Sequence, residues 1–133
     1  MEGYTRFSDV RVGSKFPDQP LKFVVSPDQV AAFLDATDGG PIDGDHAPSM
    51  LASVYLIDIL KARNSPPGGI HAKQSLKFHR RLRIGETLLL QGEVKETFVR
   101  RDRPYVVSDF EARDETGALV ASGRVTSIWG SAE

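Results

Sequence analysis

A chain of 133 residues, 40% hydrophobic and 26% charged, can bury one core without cross-links, and this balance excludes a disordered or low-complexity polypeptide. Its 17 Lys and Arg against 18 Asp and Glu leave a net charge of -1, which gives no support to a nucleic-acid binder. The lack of cysteine removes disulfides, thiolate metal sites and cysteine nucleophiles, and fits a reducing, cytoplasmic setting.

A single domain over residues 1–133 is expected, with no repeat or linker. Residues 1–20 are turn-rich and poorly patterned, and the first sixteen hold no apolar run of the secretory type. Residues 21–25 form a short β-branched apolar run, read as a strand. Ser26, Pro27 and Gln29 then supply a cap, a first-turn proline and a capping-box partner. Val30, Phe33 and Leu34 follow at helical spacing, so a short amphipathic helix is expected to end near Ala36.

Residues 37–47 (TDGGPIDGDHA) are broken up by Gly39, Gly40, Pro41 and Gly44 and form a loop. Asp38, Asp43, Asp45 and His46 make it the densest cluster of ionisable groups in the chain. Residues 48–63 are apolar on nearly every helical side, from Met50 and Leu51 to Ile59 and Leu60, which predicts a buried helix. Ser53 and Asp58 interrupt that stretch, and it falls short of the roughly 20 residues a membrane span requires. Asn64–Gly69 stops the helix.

The remainder alternates as antiparallel sheet. Ile70, Ala72, Leu76 and Phe78 alternate with polar neighbours that include His71, and Leu88, Leu90, Val94 and Phe98 do the same. His71 and His79 are placed on the wetter face with Lys73 and Lys77. Further strands are expected over 105–112 and 119–129, with turns at 101–104 and 114–117. One buried helix and four or five long strands are most economically satisfied by an α+β hotdog fold, a long antiparallel curved sheet wrapped around one central buried helix. Its open edges and half-covered helix call for a homodimer or a higher oligomer.

Three segments resemble the MaoC-like acyl dehydratases and (R)-specific enoyl-CoA hydratases of the hotdog superfamily. Residues 36–45 (ATDGGPIDGD) resemble the family's hydratase motif, residues 47–51 (APSML) the start of its central helix, and residues 76–88 (LKFHRRLRIGETL) its strand, basic turn and Gly-Asp-Thr-Leu step. The likeness spans roughly residues 5–129. Asp38 stands where the family has its catalytic aspartate, but Asp43 stands where it has its catalytic histidine, and the connection to the central helix is shortened. His46 is the nearest histidine.

The resemblance implies reversible addition of water to the double bond of an enoyl thioester, with acyl-CoA as substrate, no separate cofactor and a place in fatty acid metabolism. Such a reaction needs a base for water, an acid for the α-carbon and donors for the enolate oxygen. Asp38, Asp43 and His46 are the candidate catalytic residues. An Asp–His pair suits the proton transfers, whereas two carboxylates share them only if one is held protonated. The amides of Ser49, Met50 and Leu51, at a helix start, are the candidate donors. Arg81 and Arg83 are candidate clamps for coenzyme A phosphates, as are the arginines at 100, 101 and 103, with a solvated turn as the plainer reading. The acidic loop matches no known metal loop, so no metal is expected. Two alternatives stand beside the hydratase: a non-catalytic hotdog subunit supporting a catalytic MaoC-like homologue in a heteromer, and an acyl-CoA thioesterase. The loop is expected to face a ligand tunnel.

Overall fold

A computed structural model describes residues 3–42 and 44–131. In chain order it places β1 (Lys15–Val24), α1 (Pro27–Ala36), a two-residue β2 (His46–Ala47), a 3-10 turn (Ser49–Leu51), α2 (Ala52–Lys61), β3 (Ile70–Phe78), a two-residue β4 (Leu82–Arg83), β5 (Thr87–Arg100), β6 (Arg103–Arg113) and β7 (Leu119–Ile128). The main sheet is antiparallel in the order β1-β5-β6-β7-β3, and β2 pairs separately with β4.

Local chemistry fixes the central meander. Arg101 and Asp102 both adopt positive φ, 51° and 63°, as a two-residue turn between β5 and β6 requires. Between β6 and β7 the Asp114 carboxylate accepts from the Thr116 and Ala118 amides at 2.9 and 3.0 Å, and Gly117 supplies a φ of 89°. One face of the meander carries Leu88, Leu90, Val94, Val106, Phe110 and Val125, which pack on Tyr55, Leu56 and Ile59 of α2. Each of these large side chains is worth about 1.5–3 kcal/mol of burial. Two glycines make room for the aromatic rings. A Cβ on Gly92 would lie 2.4 Å from the Phe16 ring, and one on Gly123 would meet both the Phe110 ring and the Ser75 carbonyl.

The expected α+β hotdog arrangement of sheet and helix is present, with four local corrections. The first strand is longer than 21–25, beginning at Lys15 and broken by a register shift between Phe16 and Leu21. The helix expected over 48–63 is regular only over Ala52–Lys61, and it is not buried all round. Met50 and Ile57 are each 51% exposed, because the sheet covers one side only. A bulge between His71 and Lys73 interrupts the expected alternation: His71 pairs with the buried Ser127 but is itself exposed, as expected, and Lys73 keeps its place on the wetter face. A second bulge between Val94 and Glu96 carries Phe98 to the outer face, where it stacks on Tyr105 at 4.8 Å between centroids.

β3 forms one edge of the sheet, and eight of its nine residues are exposed, Leu76 alone being half-buried. Among the described residues no helix is long and apolar enough to cross a membrane.

Candidate active site

Ser26 opens α1, its hydroxyl accepting from the Gln29 amide at 3.2 Å, as the capping pattern predicts. The other end of α1 is less usual. The Gly39 amide donates to the Leu34 carbonyl at 2.8 Å and the Asp38 amide to the Asp35 carbonyl at 3.5 Å, the two bonds of a Schellman closure. That closure puts Asp38 in the left-handed region, at φ 54°. Glycine is the ordinary occupant of this position, and a carboxylate at a helix C-terminus faces the negative end of the dipole. Asp38 therefore contradicts two local preferences, and Asp35 adds a second negative charge one turn away with no basic residue in the last turn.

The chain returns through Gly40 and Gly44, both at positive φ, to dock on β4. His46 pairs with Arg83 and Ala47 with Leu82, and the Ile84 amide donates to the Asp45 carbonyl at 2.7 Å. Thus His46 and Arg83, 37 positions apart in sequence, become neighbours across a two-strand bridge. Asp43 lies outside the described residues.

The amides at the start of α2 are only partly available. Leu51 donates to the Pro48 carbonyl at 3.0 Å, so of the three candidate donors it is already engaged. The Ser49 and Met50 amides donate to no backbone carbonyl among the described residues. The Leu51 side chain is fully buried in the core, whereas that of Met50 is exposed.

The basic segment after β3 divides into two roles. Arg80 is a structural cation. It binds the Glu86 carboxylate through both terminal nitrogens, at 3.0 and 2.6 Å, and reaches Asp114 at 3.1 Å, tying the turn before β5 to the turn before β7. Glu86 also accepts from the Arg83 amide. Burial pushes the Glu86 carboxyl up, but Arg80 and the Arg83 amide outweigh it and hold the group below its ordinary value. The Thr116 hydroxyl and then Arg80 hold Asp114 down at about 2. Arg81 and Arg83 are exposed beside this clamp. Arg100, Arg101 and Arg103 sit at the opposite end of β5, a strand path of roughly 40 Å at about 3.3 Å per residue, and are not brought to the loop. His79, just past the end of β3, bonds the Ser122 hydroxyl at 2.9 Å.

In the single chain the loop lies open. Residues 37–42 are exposed to solvent, because one chain offers nothing to roof the loop, and the cavities of about 710, 380 and 220 Å³ are lined by other residues. Among the described residues no three His, Asp or Glu side chains are grouped to hold a metal ion.

No family model matches the sequence, and no curated protein does. Solved structures match it closely in shape. The (R)-hydratase from A. caviae involved in PHA biosynthesis superposes with a TM-score of 0.74 at 20% identity, covering 91% of this chain and 98% of that one. The R-hydratase PhaJ1 from Pseudomonas aeruginosa gives 0.80 at 19%, covering 95% and 86%. The MaoC-like dehydratase from Rhodospirillum rubrum gives 0.74 at 17%, covering 95% and 97%. The HadBC and ChsH1-ChsH2 complexes from Mycobacterium tuberculosis also contain chains of this shape, at 20% and 16% identity and TM-scores of 0.70 and 0.67.

Proposed function

With a hotdog fold shared with MaoC-like dehydratases and (R)-hydratases as its premise, we propose that this protein is a hydro-lyase acting on acyl-CoA thioesters. The observation that carries the reading is Asp38. A carboxylate held in a left-handed helix closure, where glycine is the stable choice, is kept at a cost to the fold, and such departures concentrate at working sites.

In the hydration direction, Asp38 with His46 takes a proton from water as its oxygen bonds to the β-carbon. The double-bond electrons move toward the thioester carbonyl, and the Ser49 and Met50 amides hold the enolate oxygen. Return of a proton to the α-carbon completes the addition, and dehydration is the reverse. Asp43 would serve as the second carboxyl only if held protonated. The exposed Arg83, beside His46 through the β2–β4 bridge, and Arg81 just before it meet the coenzyme A phosphates. A second copy pairs along the exposed edge of β3, covers Ile57 and Met50 and roofs the loop.

The test is hydration of crotonyl-CoA and longer enoyl-CoAs by purified protein, followed as loss of the enoyl absorbance. Activity that Asp38→Asn abolishes while the fold persists is the expected result; unchanged activity in that variant refutes the assignment. Light scattering should give a mass of at least two chains. A second reading is favoured by Asp43 standing in place of histidine and by the likeness to chains from the HadBC and ChsH1-ChsH2 complexes: a subunit that binds acyl-CoA and supports a catalytic homologue. It predicts acyl-CoA binding by calorimetry without turnover.

A further inference from the structure

We propose that the cavity beneath the loop of residues 64–69 is a binding site for a phosphate group, with Arg63 as its receptor. The inference stands apart from the acyl-CoA reading and concerns the other end of α2.

Arg63 follows the last turn of α2, and it is half-buried. Three other arginines meet carboxylates: Arg80 with Glu86 and Asp114, Arg113 with Glu111, Arg124 with Asp109. Arg63 instead donates to the Leu60 carbonyl at a long 3.4 Å and to the Ser127 hydroxyl at 3.0 Å, and its Cζ stands 5.2 Å from the Trp129 ring centroid. Among the described residues no carboxylate lies within ion-pair distance of it. A guanidinium has five N–H donors in a planar fork, so these two bonds leave most of the fork unused. A half-buried cation facing only neutral groups gains from a counter-charge brought beside it. Burial alone pulls its pKa down to about 10, consistent with a charge awaiting compensation.

The space beside it is shaped to deliver that charge. A cavity of about 380 Å³ is lined by Arg63, Ser65, Gly69, His71, Ser127 and Trp129, and no Asp or Glu lines it. His71, exposed on the edge strand β3, stands opposite Ser127 at the rim of this cavity. Ser65 and His71 have no side-chain partner among the described residues, and Ser127, which accepts from Arg63, keeps its own proton to donate. On its other side the Arg63–Trp129 pair borders a cavity of about 220 Å³ that holds Asp9 with Arg11 and Lys15, and Asp9 forms no ion pair with Arg63. The loop wall is held firmly. A Cβ on Gly130 would lie 2.1 Å from the Pro66 carbonyl oxygen and 2.5 Å from that of Pro67.

Arg forks fit both carboxylate and phosphate. Phosphate is the better match, because its three or four oxygens engage the fork and the hydroxyls of Ser65 and Ser127 together, with the His71 ring at the rim. The volume exceeds one phosphate ion and falls at the lower end of small-molecule sites, so either free phosphate or a small phosphomonoester fits.

Trp129 is the only tryptophan in the chain, so its fluorescence reports binding beside it, and changes at Ser65 and His71, which line this cavity and not the neighbouring one, assign the signal to it. Inorganic phosphate, glycerol phosphate and acetate are titrated separately at constant ionic strength into the intact protein. A saturable change with phosphate at millimolar concentration is expected, weakened about tenfold or more in Arg63→Gln. Tighter binding of glycerol phosphate assigns the site to phosphomonoesters, and equal or weaker binding assigns it to the free ion; both support the proposal. No saturable response in the wild type, acetate binding as tightly as phosphate, or an unaltered curve in a folded Arg63→Gln overturns it. Should Arg63→Gln not fold, Ser65→Ala and His71→Ala decide. Each is expected to weaken phosphate binding severalfold, and unchanged affinity in both overturns the proposal.

Discussion

The two ends of α2 solve opposite electrostatic problems. Ahead of its N-terminal end lies an exposed acidic loop whose Asp38 sits against the preference of its own backbone. Beyond its C-terminal end lies a cation, Arg63, folded under a proline-glycine loop and stacked on Trp129. The first end keeps its charge in water; the second half-buries a cation against an aromatic ring and a closely packed loop. A region that must rearrange around a substrate benefits from the first arrangement. A region that recognises a fixed anion benefits from the second.

The sharpest way to break this contrast is Trp129→Ala. Trp129 is 4% exposed and its indole donates to the Thr5 carbonyl at 2.9 Å, so its loss should destabilise the fold by about 3–5 kcal/mol, read as a lower denaturation midpoint. Gly130→Ala should cost about 1–3 kcal/mol, since the new methyl collides with backbone carbonyls that cannot swing away. If that variant keeps wild-type stability, the loop is not the firm wall described.

Acid should act mainly through the Arg80 clamp, apart from both ends of the helix. Glu86 and Asp114 both have folded pKa values depressed below their unfolded ones, so their contribution is present above the unfolded carboxylate range and is lost as pH falls through the folded values, with Asp114 lasting to about 2. Arg80→Met should therefore move the acid-unfolding midpoint to higher pH; an unmoved midpoint would refute the clamp. The smallest expected effect is the most telling for function. Asp38→Gly should stabilise the protein by about 0.5–1 kcal/mol, relieving the left-handed strain, while removing hydration activity.

Much of the architecture was legible because period-two alternation marks inner and outer faces along β5, β6 and β7. The two bulges were not. An extra residue at Ala72 or Lys95 leaves no compositional mark, yet it breaks the alternation, and the one at Lys95 carries Phe98 to the outer face where alternation alone predicts the inner one. The apolar girdle of residues 48–63 predicted a helix correctly but overstated its burial, since Ile57 and Met50 are apolar for a surface that one chain does not cover. Around the loop, Asp38 and His46 could be picked out by residue type. The division of labour between Arg80 and its neighbours could not, because Asp114, its partner, is 34 positions away. The Arg63–Trp129 pair, 66 positions apart, carries no local signal at all.

The strand order has a kinetic corollary. Neighbours β5, β6 and β7 can zip together through tight hairpins, but β1 must find β5 across more than sixty residues and β3 must find β7 across about forty. Closing such long loops costs entropy before any contact rewards it. The acidic segment is carried between these two late-arriving borders, so it should acquire its shape last during refolding. Pulse-labelled amide exchange would show this as protection appearing in the meander well before it appears in β1 and β3.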